Sequence, residues 1–236
     1  MSRNLGNGYQ ILTAENGKQG LELAIETIPD LVISDVMMPE MDGMEMCKQL
    51  KTDERTNHIP VIMVTARADR GSKLEGLETG ADDYIIKPFD AEELLVRVRN
   101  LIEQRRRLRE KFCKGFISES LDKPYSPKDQ FLNKLIRSLD KHVSEPEFTM
   151  EQLGKELYMS RAQLYRKVAA VSGLPPNELL QIIRMKHAAR LLLTSEFNVT
   201  QVMYQVGICS TSHFAQSFRK YFGTNPSDYK HTHKSI

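Results

Sequence analysis

Residues 150–168 read MEQLGKELYMSRAQLYRKV and residues 199–218 read VTQVMYQVGICSTSHFAQSF, one pattern written twice. In the first copy Met150, Leu153 and Leu157 share one face of a short helix. A turn follows at Tyr158–Met159, and Leu164 and Val168 face back from a second helix. Moving down the chain by 49 gives Val199, Val202 and Val206. Moving down by 50 gives Phe214 and Phe218, so the second copy has one more residue in its turn. Two helices joined by a tight turn, apolar only where they face each other, predict a helix-turn-helix. Two copies in one chain can enter neighbouring major-groove segments of one duplex, about one helical turn apart.

Around these copies the sequence reads as all-helical, opening at Ser126 or Asp129 and running to Tyr229. Pro175–Pro176 starts a longer connecting helix, Asn177 to about Leu193, which would fix the relative orientation of the copies. Thr149-x-x-Gln152 and Ser160-x-x-Gln163 are capping-box patterns at two helix starts. With Leu164 and Val168 inward, Arg161, Ala162, Tyr165 and Arg166 turn outward. Arginine pairs bidentately with guanine, alanine touches a thymine methyl, and tyrosine meets a base edge or phosphate. In the second copy Phe214, Phe218 and Phe222 read as core, which leaves Thr211, Ser212, His213, Gln216, Arg219 and Lys220 outside. Gln216 suits adenine, whereas Arg219 and Lys220 suit phosphates. At any single position the rival reading is a solvated helix face. Gly223 can stop the second recognition helix, and Pro226 can begin a final turn whose Tyr229 packs back. His231-x-His233 reads as a tail rather than a metal site.

The first half alternates in type. Tyr9–Ala14, Asp30–Ser34, Pro60–Thr65 and Asp83–Ile86 read as strands, and Gly17–Glu26, Met44–Leu50, Lys73–Glu78 and Ala91–Glu110 as amphipathic helices. Short apolar strands alternating with helices predict a parallel sheet covered on both faces. Residues 111–128, with Gly115, Pro124, Ser126 and Pro127, lack periodicity and read as a linker. The fold class is therefore α/β plus all-α; a single large α/β domain with helical decoration is the rival. Asp35, Thr65 and Lys87 stand at successive strand ends, where parallel sheets collect functional groups. A carboxylate nucleophile, a hydroxyl donor and a fixed cation around one small anion suit phosphoryl transfer, which also calls for a metal.

At 236 residues, 40% hydrophobic and 27% charged, the chain is large enough for two cores. The net charge of +2 conceals a split: residues 1–109 carry 15 Lys+Arg against 19 Asp+Glu, and residues 129–236 carry 14 against 9. The basic half suits a polyanionic partner. Cys47, Cys113 and Cys209 are an odd number in unrelated contexts, which favours reduced thiols and a cytoplasmic setting. No apolar run approaches the roughly 18 residues of a membrane-spanning helix, and MSRNLGNGYQ lacks the apolar core of a signal peptide.

Asp35–Val–Met–Met–Pro39–Glu–Met–Asp42–Gly43, Thr65–Ala66 and Tyr84–Ile–Ile–Lys87–Pro88–Phe89 closely resemble a response-regulator receiver domain across about residues 9–109. The resemblance implies Asp35 as phosphoacceptor, Thr65 and Lys87 on the phosphoryl oxygens, and Tyr84 as a switch aromatic that moves inward when Thr65 engages phosphate. It implies a cis Lys87–Pro88 bond followed by Phe89. It also implies Mg²⁺ held by Asp35 and the main-chain carbonyl of Met37. Receivers begin with a strand ending in an acidic pair, which this sequence does not supply, so the other metal ligands are absent. The expectation is an incomplete doubly wound, flavodoxin-like receiver, in a chain that is a fragment or mis-started reading of a longer protein. Such a chain would label poorly with acetyl phosphate. Dehalogenase-type phosphatases also order Asp, Thr and Lys this way, but they need a second Asp where Met37 stands, so no enzyme is expected.

Gly207–Ile208 through Phe214, with Phe218–Arg–Lys–Tyr–Phe222–Gly223–Thr–Asn–Pro226–Ser–Asp–Tyr229, strongly resembles the AraC/XylS-type DNA-binding signature over about residues 130–232. Domains are thus expected at 1–110 and 129–236. The pair resembles the C-terminal end of hybrid two-component sensor-regulators, whose parent would sit in the inner membrane with this end in the cytoplasm. The resemblance implies double-stranded DNA, a histidine kinase domain, RNA polymerase and a second copy of the chain as partners. Phosphate on Asp35 would draw in Thr65 and Tyr84 and re-shape the face at Lys73–Glu78 and Ala91–Asn100. Arg105–Arg106–Arg107 reads as a solvated run. The alternative is a phosphorylation-independent regulator, or a docking module for a partner protein.

Overall fold

The computed structural model describes residues 8–66, 80–118 and 129–233. The chain divides into two compact units, Met1–Arg109 and Glu110–Ile236. The helix expected over Lys73–Glu78 and the later part of the expected linker lie outside the described residues.

Among the described residues the first unit is built on three parallel strands in the order β1 (Val32–Asp35), β2 (Val61–Thr65), β3 (Asp83–Ile86). Register pairs Asp35 with Val64 and Thr65 with Ile86, so the strand ends lie side by side. Residues 61–64 of β2 are buried on both faces, as an interior strand of a covered sheet requires. Val61 and Met63 pack with Ala24 of α1 (Gly17–Thr27) and with Met46, Cys47 and Leu50 of α2 (Gly43–Thr52). Ile62 and Ile85 pack on the other side with Leu94 and Val98 of α3 (Ala91–Ser118). Tyr9–Ala14, expected to be a strand, is instead exposed coil. A strand forms only where a neighbour takes its N–H and C=O groups, and this segment pairs with no strand among the described residues.

The linker expectation also needs correction. Helix α3 continues to Ser118, so residues 111–118 are helical. Phe112 and Phe116 stack at 5.4 Å, and Phe116 is fully buried in the core of the second unit. Burial of a phenylalanine outweighs the roughly 1 kcal/mol that Gly115 costs inside a helix.

Among its described residues the second unit is all-helical: α4 (Gln130–Lys141), α5 (Met150–Glu156), α6 (Arg161–Ser172), α7 (Pro176–Thr194), α8 (Val199–Gln205), α9 (Thr211–Phe222) and α10 (Pro226–His233). Its internal duplication runs further than the two helix-turn-helices. Moving α4 down by 49 places it on residues 179–190 of α7, so each copy is a leader helix followed by a helix-turn-helix. Thr149 and Gln152 form a reciprocal capping box, and so do Asn198 and Gln201, 49 residues on. Met159 N–H donates to the Gly154 carbonyl at 2.8 Å, and Ile208 N–H to that of Met203 at 3.1 Å. Both recognition helices end on a left-handed glycine, Gly173 at φ 76° and Gly223 at φ 73°. A proline follows three residues later in each case, Pro176 and Pro226, and starts the next helix.

The two turns differ in one instructive way. At the position with positive φ the second copy has Gly207 (67°), whereas the first has Tyr158 (55°), 87% exposed. Left-handed backbone costs a non-glycine residue roughly 1–2 kcal/mol. Gly154, by contrast, is demanded by space, since a Cβ there would lie 2.7 Å from the Met159 carbonyl oxygen. In chemical denaturation of the whole chain, Gly154→Ala should destabilise the helical unit by about 1–3 kcal/mol. Tyr158→Gly should leave its stability unchanged or raise it by up to about 1 kcal/mol. Destabilisation by the second substitution would mean that the exposed ring is structural.

Candidate phosphoryl site and nucleic-acid interface

Asp35 closes β1, Thr65 closes β2 and Lys87 follows β3. The strands continue their pairing past their last residues: Val36 N–H donates to the Val64 carbonyl at 2.9 Å, and Lys87 N–H to that of Thr65 at 2.7 Å. This ladder brings the three residues to one edge of the sheet. The Lys87 ammonium bonds the Asp35 Oδ2, and the Met37 N–H donates to its Oδ1 at 3.1 Å. The Lys87–Pro88 bond is cis, as the resemblance implied. Asp35, Lys87, Pro88 and Phe89 line one open depression. Thr65 lies outside that lining. Tyr84 is paired in register with Met63, so it shares the face of the sheet on which Thr65 stands two residues along. It is half-buried against the α1–α2 core.

The loop after Asp35 is pinned by backbone contact. Gly43 N–H donates to the Val36 carbonyl at 3.0 Å, and a Cβ on Gly43 would stand only 2.1 Å from the Asp35 carbonyl oxygen. Asp42 caps α2 by accepting from Glu45 N–H at 2.8 Å. Gly17 N–H donates to the Met41 carbonyl at 3.1 Å, so α1 braces the same loop. Asp42 is therefore engaged as a helix cap. Among the described residues no cluster of three or more His, Cys, Asp or Glu side chains is placed to hold a metal. Asp35 and the Met37 carbonyl alone do not fit a complete Mg²⁺ site.

In the second unit the residues expected outside are exposed with one exception, Tyr165. Arg161, Ala162 and Arg166 on α6 are exposed, as are Thr211, Ser212, His213, Gln216, Arg219 and Lys220 on α9. Tyr165 is half-buried, with the Arg161 guanidinium 5.8 Å from its ring centroid. The apolar partners Leu153, Leu157, Leu164, Val168, Val202, Val206, Phe214 and Phe218 are buried. Phe222 is half-buried with its ring 5.2 Å from that of Tyr229, which packs back on α9 as anticipated.

Two features were not read from the sequence. Lys220 bonds Glu178 of α7 at 3.0 Å, and that carboxylate pushes the Lys220 ammonium up from its usual lysine range. Arg184 of α7 donates from Nε to the Val143 carbonyl at 3.2 Å and from Nη2 to the Glu145 carbonyl at 2.6 Å. Desolvation holds its pKa below the ordinary arginine value. A Cβ on Gly207 would lie 2.7 Å from the Val143 carbonyl oxygen and 2.9 Å from Arg184 Nη2. One guanidinium therefore touches both the loop leading into the first helix-turn-helix and the turn of the second. The copies offered a signal for it, because the position 49 residues before Arg184 is the fully buried Leu135.

Two stretches of the chain match known protein families. Residues 3–99 match the model for the response regulator receiver domain, and residues 153–232 match a helix-turn-helix domain. A protein named histidine kinase P4, from Formosa agariphila, is 42% identical over 96% of this chain; the chain spans 17% of that protein's length. The transcriptional regulator RpaA of Synechocystis is 46% identical over 43% of the chain and 42% of its own length. Among solved structures, the C-terminal domain of AraT, a response regulator from Geobacillus stearothermophilus, is 29% identical. That match covers 45% of this chain and 88% of the other, with a TM-score of 0.42.

The close approach at Gly43 carries a test. Gly43→Ala should destabilise the first unit by about 1–3 kcal/mol and displace the loop that orients Asp35. Unchanged thermal unfolding, with unshifted amide resonances at Asp35–Met37, would remove Gly43 from the account.

Proposed function

We propose that this chain, which joins a response-regulator receiver domain to an AraC-type helix-turn-helix domain, is the output end of a two-component phosphorelay: Asp35 accepts a phosphoryl group, and the two recognition helices bind defined sites on double-stranded DNA to regulate transcription. One observation carries the reading. Both helix-turn-helices bury their facing apolar residues and leave a polar, partly cationic face on the second helix. The coupling of that pair to an Asp–Lys–Thr strand-end site supports phosphoryl control.

At the first site the Asp35 carboxylate attacks phosphorus in line, the bond to the donor's histidine nitrogen breaks, and the imidazole leaves. Lys87 then shifts from the free carboxylate to a phosphoryl oxygen, exchanging one charge-assisted contact for another. The Thr65 hydroxyl donates to a second oxygen. Tyr84, on the same face of the sheet, fills the space behind it and carries the change toward the covering helices. A histidine kinase domain is the donor, in the same longer polypeptide or apart from it. RNA polymerase and a second copy of the chain are the further partners of the DNA-bound form.

On DNA, Arg166 and Gln216 read guanine and adenine edges while Arg219 and Lys220 meet phosphates. Lys220 must leave Glu178 to do so, which lowers the net worth of its contact. Arg161, Ala162 and Tyr165 on α6, with Thr211, Ser212 and His213 on α9, complete the contact surface.

Label from acetyl phosphate, however slowly acquired, should sit on Asp35 and vanish in Asp35→Asn; label that persists in that variant would end the assignment. In mobility-shift titrations Arg166→Ala should cost about 1–3 kcal/mol at the preferred site and relax base preference. Lys220→Ala should weaken all duplexes alike and reduce the salt slope by about 1 at most. Equal, sequence-independent losses from both substitutions would contradict the division into reading and anchoring residues.

A further inference from the structure

The two copies in the helical unit act as controls for one another, and at one place they disagree. Moving down by 49 carries Phe131 onto Leu180 and Leu132 onto Gln181; moving down by 50 carries Lys167 onto Ser217. In the first copy the space between leader helix and recognition helix is full. Lys167 is 1% exposed with its Nζ 4.7 Å from the Phe131 ring centroid, and Leu132 is 5% exposed. In the second copy Leu180, Gln181 and Ser217 instead line a groove of about 580 Å³. That volume is in the range of small-molecule sites, roughly 300–1,000 Å³.

The replacements do not serve packing. Phenylalanine to leucine and lysine to serine both remove volume, and leucine to glutamine introduces an amide whose Nε2 is buried with no hydrogen-bond partner. An unpaired buried donor costs about 1–3 kcal/mol, and the leucine of the first copy would abolish that cost. Groups that reduce stability without a structural return mark a functional surface. The polar groups around the groove indicate what would fill it. Arg184 and Lys220 carry two positive charges against the single carboxylate of Glu178, with His213 and the Ser217 hydroxyl as further donors. Phe148, Leu180 and Tyr221 supply apolar wall.

We propose that this groove binds a small organic carboxylate with an apolar body. The carboxylate accepts from Ser217 Oγ, draws the Lys220 ammonium from Glu178 and takes the Gln181 amide, turned outward from its buried position, as a further donor, while the hydrocarbon lies along Leu180, Phe148 and Tyr221. The second recognition helix forms one wall of the site through His213, Ser217 and Lys220, but the site's existence is independent of the DNA-binding reading.

Benzoate and octanoate, titrated into the full chain by calorimetry in a buffer free of carboxylate and phosphate, are the probes, with benzyl alcohol and octanol as controls. At least one carboxylate should bind saturably and its alcohol should not. Gln181→Leu should hold or raise the unfolding temperature while weakening that carboxylate about tenfold, a loss of about 1.4 kcal/mol. Ser217→Met, which restores bulk at the place of Lys167, should abolish binding in a folded chain. The proposal is overturned if neither carboxylate binds, if the alcohols bind as well, or if both variants retain the parent's affinity.

Discussion

The arrangement of the two recognition helices depends on one partly desolvated guanidinium. Arg184, midway along α7, holds the Val143 and Glu145 carbonyls that lead into the first helix-turn-helix and lies against Gly207, the turn of the second. Desolvating a cation is unfavourable unless its donors are satisfied, and here backbone carbonyls at fixed positions satisfy them. The geometry cannot drift without leaving those carbonyls or the charge unpaired. A docking surface for a helical polymer needs such rigidity, because two ridges that wander relative to one another cannot fit a fixed groove spacing.

In the first unit the equivalent constraint is steric. Glycine at 43 allows the start of α2 to rest on the backbone of Asp35, and glycine at 17 lets α1 brace the same loop through Met41. The carboxylate is thus presented by main chain on two sides, with Lys87 delivered from the end of β3, across β2. Positions fixed by backbone contact suit the role proposed for Asp35, in which the side chain reacts while its base does not move.

Much of this was legible in the residues because the signals are local. Short apolar runs marked β2 and β3 to within a residue, capping boxes marked two helix starts, and the doubled apolar spacing marked both helix-turn-helices. What was not legible is non-local. Tyr9–Ala14 has strand composition but no neighbour to pair with, and composition carries no information about neighbours. Residues 111–118 look aperiodic, yet Phe112 and Phe116 stand four apart and make the helix worthwhile. The Lys220–Glu178 pair joins residues 42 apart in sequence, so a recognition-helix lysine that reads as free is in fact shared. Asn198 and Gln201 form a box that serine- and threonine-led patterns overlook. The full length of the duplication was not legible because its leader helices differ at a buried position, with Leu135 in one and Arg184 in the other.

Helix α7 is also a shared structural member. Its first half gives Leu179, Leu180, Ile182 and Ile183 to one apolar cluster, and its second half gives Met185, Ala188, Ala189 and Leu192 to the other. Neither half can lose its core without unwinding a helix on which the other rests. The pair is therefore thermodynamically cooperative despite its repeated pattern, and damage to the core of one helix-turn-helix destabilises both. On the proposed reading, such a domain meets its DNA as one cooperative body and not as two independent contacts.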